Sequence, residues 1–159
     1  LCAARLVVHQ GDDVHRAELL EHFFDRWQSE NLVVNQWFVM QATRPSADCV
    51  SDVTELTHHA AFDWRNPNKV RSLISAFAGA NPTAFHALDG GGYRLLGDAV
   101  RRLQSDNPQI AARMLAPMTR WRRYDHGQVV MRGELESIAA LEGLSQDVYE
   151  VVSRSLSES

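Results

Sequence analysis

The sequence predicts an all-α fold in which short helices stack as antiparallel pairs into an irregular superhelix. Three observations predict it. Apolar residues recur at three- and four-residue spacing along most of the chain, without the period-two alternation of a strand. The dipeptide Asn-Pro occurs at 66–67, 81–82 and 107–108, each time ahead of a helical pattern. An Asn there accepts from the free N–H groups of a first turn, and Pro as the first helical residue loses no bond. The links between helical patterns are short, which favours antiparallel neighbours.

A first helix is expected from Leu1 to about His9, broken by Gly11. A second, about Asp13–Gln28, puts Val14, Ala17, Leu20, Phe24 and Trp27 on one apolar face, with Asp12 and Asp13 at its positive end. Asn31 is the expected cap of a third helix, about Leu32–Thr43, with Val33, Trp37 and Met40 in line and Pro45 as its stop. A fourth covers about Ala47–His59. Val70, Leu73, Ile74 and Phe77 define the next, which opens at Asn66-Pro67 and ends at Gly79. After Asn81-Pro82, a longer helix runs from about Gly91 to Gln104, led by Tyr93, Leu96, Val100 and Leu103. Helices of about Pro108–Leu115, Asp125–Leu141 and Ser145–Ser155 complete the chain, the last capped by Ser145. The tryptophans Trp27, Trp37, Trp64 and Trp121 are expected in the core. Eight or nine helices with irregular links fit an armadillo- or HEAT-like solenoid better than a clean repeat or a four-helix bundle.

Residues 1–159 suit one all-helical unit. Hydrophobic residues at 45% and charged residues at 23% are ordinary for a soluble globular protein. Twenty acids against sixteen bases give a net charge of −4, which argues against a nucleic-acid partner. No apolar run approaches the length of a membrane span. Two cysteines, Cys2 and Cys49, are too few for a disulfide scaffold and fit a reducing, cytoplasmic compartment. The chain begins with Leu1 in what reads as mid-helix, so a piece of a longer protein is expected.

Seven histidines raise the question of a metal. His-Glu never occurs, so the H-E-x-x-H zinc motif is absent, and no other ligand cluster has a known spacing. The histidines read as surface or helix-end residues, and no metal ligand or catalytic residue is assigned. Asp89-Gly90-Gly91-Gly92-Tyr93 has the glycines of a phosphate loop but no Gly-Lys-Ser/Thr, and no strand precedes it. Its reading is a flexible helix start. Lys69 is the single lysine among sixteen basic residues. The dense patch Arg120-Trp121-Arg122-Arg123, with Arg113 upstream, suits either carboxylate recognition or pairing that holds helix ends, and the second is favoured.

Longer phrases carry a family resemblance. Asn35-Gln36-Trp37-Phe38 with Gln41-Ala42-Thr43, and Asn66 through Ile74 with Ala76-Phe77-Ala78-Gly79, resemble stretches of bacterial alanyl aminopeptidases, the aminopeptidase N family. Asp89 through Tyr93, Asn107-Pro108-Gln109, Ala112-Arg113-Met114, Arg123-Tyr124-Asp125 and Tyr149-Glu150 continue it in register. The resemblance implies a zinc exopeptidase that removes N-terminal residues from peptides. Its zinc and exopeptidase motifs lie in a catalytic domain that these residues lack. This segment then corresponds to the later part of the C-terminal helical domain, which walls the active-site cavity, and the parent is expected to be monomeric.

By the same resemblance, Gln109 reaches the pocket for the substrate's first side chain. Arg71 and Arg113 line the cavity and meet a bound peptide's carboxylate, a role that guanidinium chemistry suits. For the two arginines alone, structural pairing is the competing reading. A free-standing helical module that binds peptide or protein on a concave face is the alternative for the whole chain.

Overall fold

The computed structural model describes residues 2–157, the side chain of Cys2 excepted; Leu1, where the first expected helix opens, lies outside them. Every regular element among the described residues is helical, as the apolar spacing requires. The chain divides into two compact units, residues 1–84 and 85–159, and the short helix α7 (Pro82–Phe85) spans the change.

The first unit holds α1 (Cys2–Gln10), α2 (Asp13–Trp27), α3 (Asn31–Ala42) and α4 (Cys49–Leu56). An unbroken helical run follows: α5 (Pro67–Val70), a π-helical turn (Arg71–Ser75) and α6 (Ala76–Ala80). Helix α3 is the centre, touching α1, α2, α4 and the whole run 67–80. Its Val34, Trp37, Phe38, Met40 and Ala42 are buried with Val53, Phe62, Val70, Leu73, Ile74 and Phe77. Burying each such side chain contributes about 1.5–3 kcal/mol.

The C-terminal end of α3 shows how this unit is fastened. The last carbonyls of a helix have no partner inside it. Here side chains supply them, from the adjoining Thr43 and from the more distant His9, Cys49 and Asn81. His9 Nε2 lies 3.0 Å from the Met40 carbonyl. The Thr43 hydroxyl donates to Val39 at 2.8 Å, and the Cys49 thiol donates to Gln41 at 3.2 Å. Asn81 Nδ2 donates to Ala42 at 2.9 Å and to Arg44 at 2.6 Å. Burial pushes the Cys49 thiol up to about 11, so it serves as a buried donor rather than a nucleophile.

The Asn-Pro starts fold as expected. Asn66 Oδ1 accepts from the N–H of Asn68 and Lys69, Asn81 Oδ1 from Ala84, and Asn107 Oδ1 from Ile110. Asp12 caps α2 by accepting from the His15 N–H at 3.0 Å. Two expected caps differ. Helix α3 begins at Asn31 itself, behind Glu30, with no side-chain cap. The Ser145 hydroxyl is buried without a hydrogen-bond partner, and Gln104 Oε1 instead accepts from the Ser145 N–H at 2.8 Å.

Helix α2 has the apolar face that the spacing defines, but no residue on it is buried. Val14 is 65% exposed and Trp27 is 39% exposed, so Trp27 is a surface residue with Arg26 over its ring, not a core residue. Trp37 and Trp121 are core and Trp64 is half-buried.

The second unit holds α8 (Gly91–Leu103), α9 (Pro108–Met114), a 3₁₀ helix (Met118–Arg123), α10 (Gln128–Ala139) and α11 (Gln146–Ser157). Helix α8 buries Tyr93, Leu96, Val100 and Leu103, the four residues its spacing selects. Helix α9 packs on α8 and α11, and α10 packs on α8, α11 and the 3₁₀ helix. The 3₁₀ helix was not foreseen. It carries the arginine patch, and Arg122 shows what part of that patch does. Arg122 lies 4.0 Å over the Trp121 ring and donates to the Ser155 and Leu156 carbonyls at 2.7 and 3.2 Å, with Trp121 Nε1 also donating to Ser155. Arg122 thus holds the end of α11, with carbonyls as its partners rather than carboxylates.

Candidate functional site

The glycine loop before α8 serves the fold. Gly90 takes the left-handed backbone at φ 70, which a glycine adopts without steric cost. Asp89 Oδ1 accepts from the Gly91 N–H at 2.9 Å, and Arg94 grips the Asp89 carbonyl at 2.6 and 2.9 Å. Asp89 thus engages the Gly91 N–H and the Arg94 guanidinium within the loop itself.

His15, His22, His58 and His126 are exposed, as expected, but His59 and His86 are more involved than surface residues. His59 packs against Phe24, Trp37 and Phe38, and burial lowers its pKa. The Tyr93 hydroxyl and His86 Nδ1 are 2.8 Å apart, and the His86 ring stacks on Tyr124. Among the described residues no three His, Cys, Asp or Glu side chains come together as a metal site. The described residues therefore offer no ligand set for a zinc ion.

In the first unit a cavity of about 450 Å³ opens beside Leu20, Gln41, Arg44, Asp52 and His59, and its Arg44–Asp52 pair is closed at 2.6 Å. Arg71 does not line it.

Arg71 is the first residue of the π turn. The buried residues around it, Lys69, Val70, Leu73 and Ile74, seat the run on α3, and Arg71 is left exposed. Lys69 covers the Phe38 ring at 5.6 Å, and burial lowers its pKa. Gln109 and Arg113 lie in the other unit, both on α9. The Asn107 cap and Pro108 put Gln109 in the first turn, and Arg113 stands one turn later on the same side. Ala111 and Met114 bury the opposite side. Gln109 and Arg113 are exposed. No side-chain hydrogen bond or ion pair of Arg71, Gln109 or Arg113 occurs among the described residues. By contrast, Arg44, Arg101 and Arg132 are all paired with carboxylates, at 2.6, 2.5 and 2.7 Å.

This architecture is that of an armadillo-like helical-repeat domain. A family described as a domain of unknown function (DUF3458_C) with ARM repeats matches residues 2–157, and the chain belongs to it, as the C-terminal domain of aminopeptidase N-like proteins. Aminopeptidase N of Escherichia coli strain K12 is 45% identical over 142 residues, which is 89% of this chain and 16% of that protein. Aminopeptidase N of Caulobacter vibrioides is 41% identical over 145 residues, 90% of this chain and 17% of that protein. The crystal structure of Legionella pneumophila aminopeptidase A in complex with aspartic acid superposes with a TM-score of 0.90 at 33% identity, over 97% of this chain and 18% of that one. The chain thus spans about one sixth of the length of the relatives it matches. None of its described helices is long and apolar enough to cross a membrane.

Sequence reasoning missed Ser72, whose hydroxyl donates to the Asn68 carbonyl at 2.6 Å inside the π turn. Nothing in the spacing marks it: buried positions 69, 73, 77 and 70, 74, 78 read side by side as ordinary helical spacing.

Proposed function

We propose that the chain is the C-terminal helical part of a zinc-dependent aminopeptidase that removes N-terminal residues from peptides. In this reading it walls the active-site cavity and controls access of substrate, with no catalytic residue of its own. The zinc sits in a catalytic domain outside these residues, and the parent works as a monomer in the cytoplasm. Residues 1–159 are one part of a larger helical domain. Gln109 borders the pocket for the first side chain, and Arg71 and Arg113 neutralise the carboxylate end of a bound peptide.

The observation that supports this most is the state of those three side chains. They are exposed and unengaged among the described residues, a state that Arg65, Arg120, Arg123 and Arg154 share, and the family phrases around them single them out. A free guanidinium keeps its bidentate donors for an incoming carboxylate.

The test uses the whole enzyme that contains this chain. Changing both Arg71 and Arg113 to Ala should raise KM for tri- and tetrapeptides about tenfold relative to an alanyl anilide, which has no free carboxylate. Equal loss on both substrate types would sink the carboxylate role. A separate variant, Gln109→Ala, should alter the ranking of N-terminal residues across a reporter panel, and an unaltered ranking would count against the pocket assignment.

A further inference from the structure

The run Pro67–Ala80 changes its winding in the middle. Helices α5 and α6 are regular, but from Arg71 to Ser75 the turn is π-helical, and the Ala76 N–H reaches back five residues to the Arg71 carbonyl. The buried face runs through the whole turn. Lys69, Leu73 and Phe77 form one four-residue ladder, and Val70, Ile74 and Ala78 form another; all six are buried. In a regular helix a four-residue repeat drifts by about 40° each turn, and a wider π turn reduces that drift here. Such turns carry an exposed residue in a direction that a regular helix would not give, and they are frequent at functional sites.

We propose that Ser72 is a positioning residue for Arg71. Its hydroxyl donates to the Asn68 carbonyl at 2.6 Å, and the Asn68 N–H is itself held by Asn66 Oδ1 at 3.0 Å. The bond ties the wide turn to the capped first turn of the run. A hydroxyl bonded four residues back competes with the backbone donors for that carbonyl and favours a loosened helix. The flanking Val70 and Leu73 are buried, so the run cannot roll to re-aim Arg71. The winding therefore sets the direction in which the Arg71 side chain leaves the helix. This inference rests on the reading of Arg71 as a carboxylate ligand.

Three variants of the whole enzyme test it: Ser72→Ala, Ser72→Thr and Arg71→Ala, each with a tripeptide and an alanyl anilide. Ser72→Ala suits the helix and should fold, as circular dichroism would verify. It should raise the ratio of peptide KM to anilide KM about fivefold with kcat little altered, because a displaced guanidinium loses its geometry. Thr can make the same bond to the Asn68 carbonyl and should restore the ratio. If Arg71→Ala raises the ratio while Ser72→Ala does not, the positioning role falls and the reading of Arg71 stands. If Arg71→Ala leaves the ratio where it was, both fall. A Ser72→Ala loss shared equally by the two substrates, or one that Thr fails to restore, also overturns the positioning role.

Discussion

Replacing Gly92 by Ala should unfold the second unit more readily, by about 3 kcal/mol or more. A Cβ built at Gly92 would stand 2.5 Å from the Phe85 carbonyl oxygen, 2.7 Å from the Phe85 Cα and 3.0 Å from its carbonyl carbon. All three are backbone atoms, and Phe85 is fully buried, so nothing flexible is available to move aside. The strain has one relief: α8 must shift away from the 85–86 segment. That shift would open the packing of Phe85 on Tyr93, whose rings meet edge-on at 5.2 Å, and the bond between Tyr93 and His86. Intrinsic helix propensity favours Ala over Gly by about 1 kcal/mol, so the substitution sets a local gain against a tertiary loss, and the collision wins. Urea unfolding followed by circular dichroism would measure it. A midpoint equal to or above that of the parent chain would show that this close approach is absent in solution.

The contrast between local and distant causes separates what was legible in the sequence from what was not. The Asn-Pro starts and the inward face of α8 are written within four residues of where they act, and both were readable. The face of α2 was read correctly as a pattern, yet Val14 and Trp27 are exposed. Periodicity says which residues share a side, and it is silent about what covers that side. Ser145 had the residue type of a cap, but its N–H is satisfied from Gln104, forty-one positions away. Of the arginine patch, Arg122 holds a helix end, but its carbonyl targets on α11 cannot be guessed from charge. Arg71, Gln109 and Arg113 were marked by the family phrases around them. Nothing in their own spacing distinguishes them from any exposed polar residue, and their lack of partners appears once the helices are packed. The π turn lay between these cases. Its four-residue ladders stand in the sequence, but they resemble ordinary helical spacing until the burial of each rung is known.

Asn81 combines both kinds of information, and its loss should cost the first unit about 3 kcal/mol. The sequence presents it as a cap, and Oδ1 does accept from the Ala84 N–H at 3.2 Å. The larger part of its work is done by the other end of the amide. Nδ2 donates to the Ala42 carbonyl at 2.9 Å and to the Arg44 carbonyl at 2.6 Å, and the residue is 1% exposed. Ala at this position would strand one N–H and leave the Ala42 carbonyl to the Cys49 thiol and the Arg44 carbonyl to the Ser46 N–H, in a place that water reaches poorly. The Cys49 thiol, 3.6 Å from the Ala42 carbonyl, is too weak a donor to replace the amide. Asn81→Asp isolates the second function. It keeps an oxygen for the Ala84 N–H but turns a carboxylate oxygen toward two carbonyl oxygens. At neutral pH Asp should therefore be worse than Ala. Burial and those carbonyls would raise the Asp pKa in the folded state above its unfolded value near 4, so the deficit should shrink on acidification below that raised value and grow as pH rises through it. Urea midpoints of the two variants at pH 4 and pH 7 decide the matter. A deficit for Asp that is smaller than that for Ala at pH 7 would mean that the Ala42 and Arg44 carbonyls find other donors, and that the end of α3 is not held by Asn81.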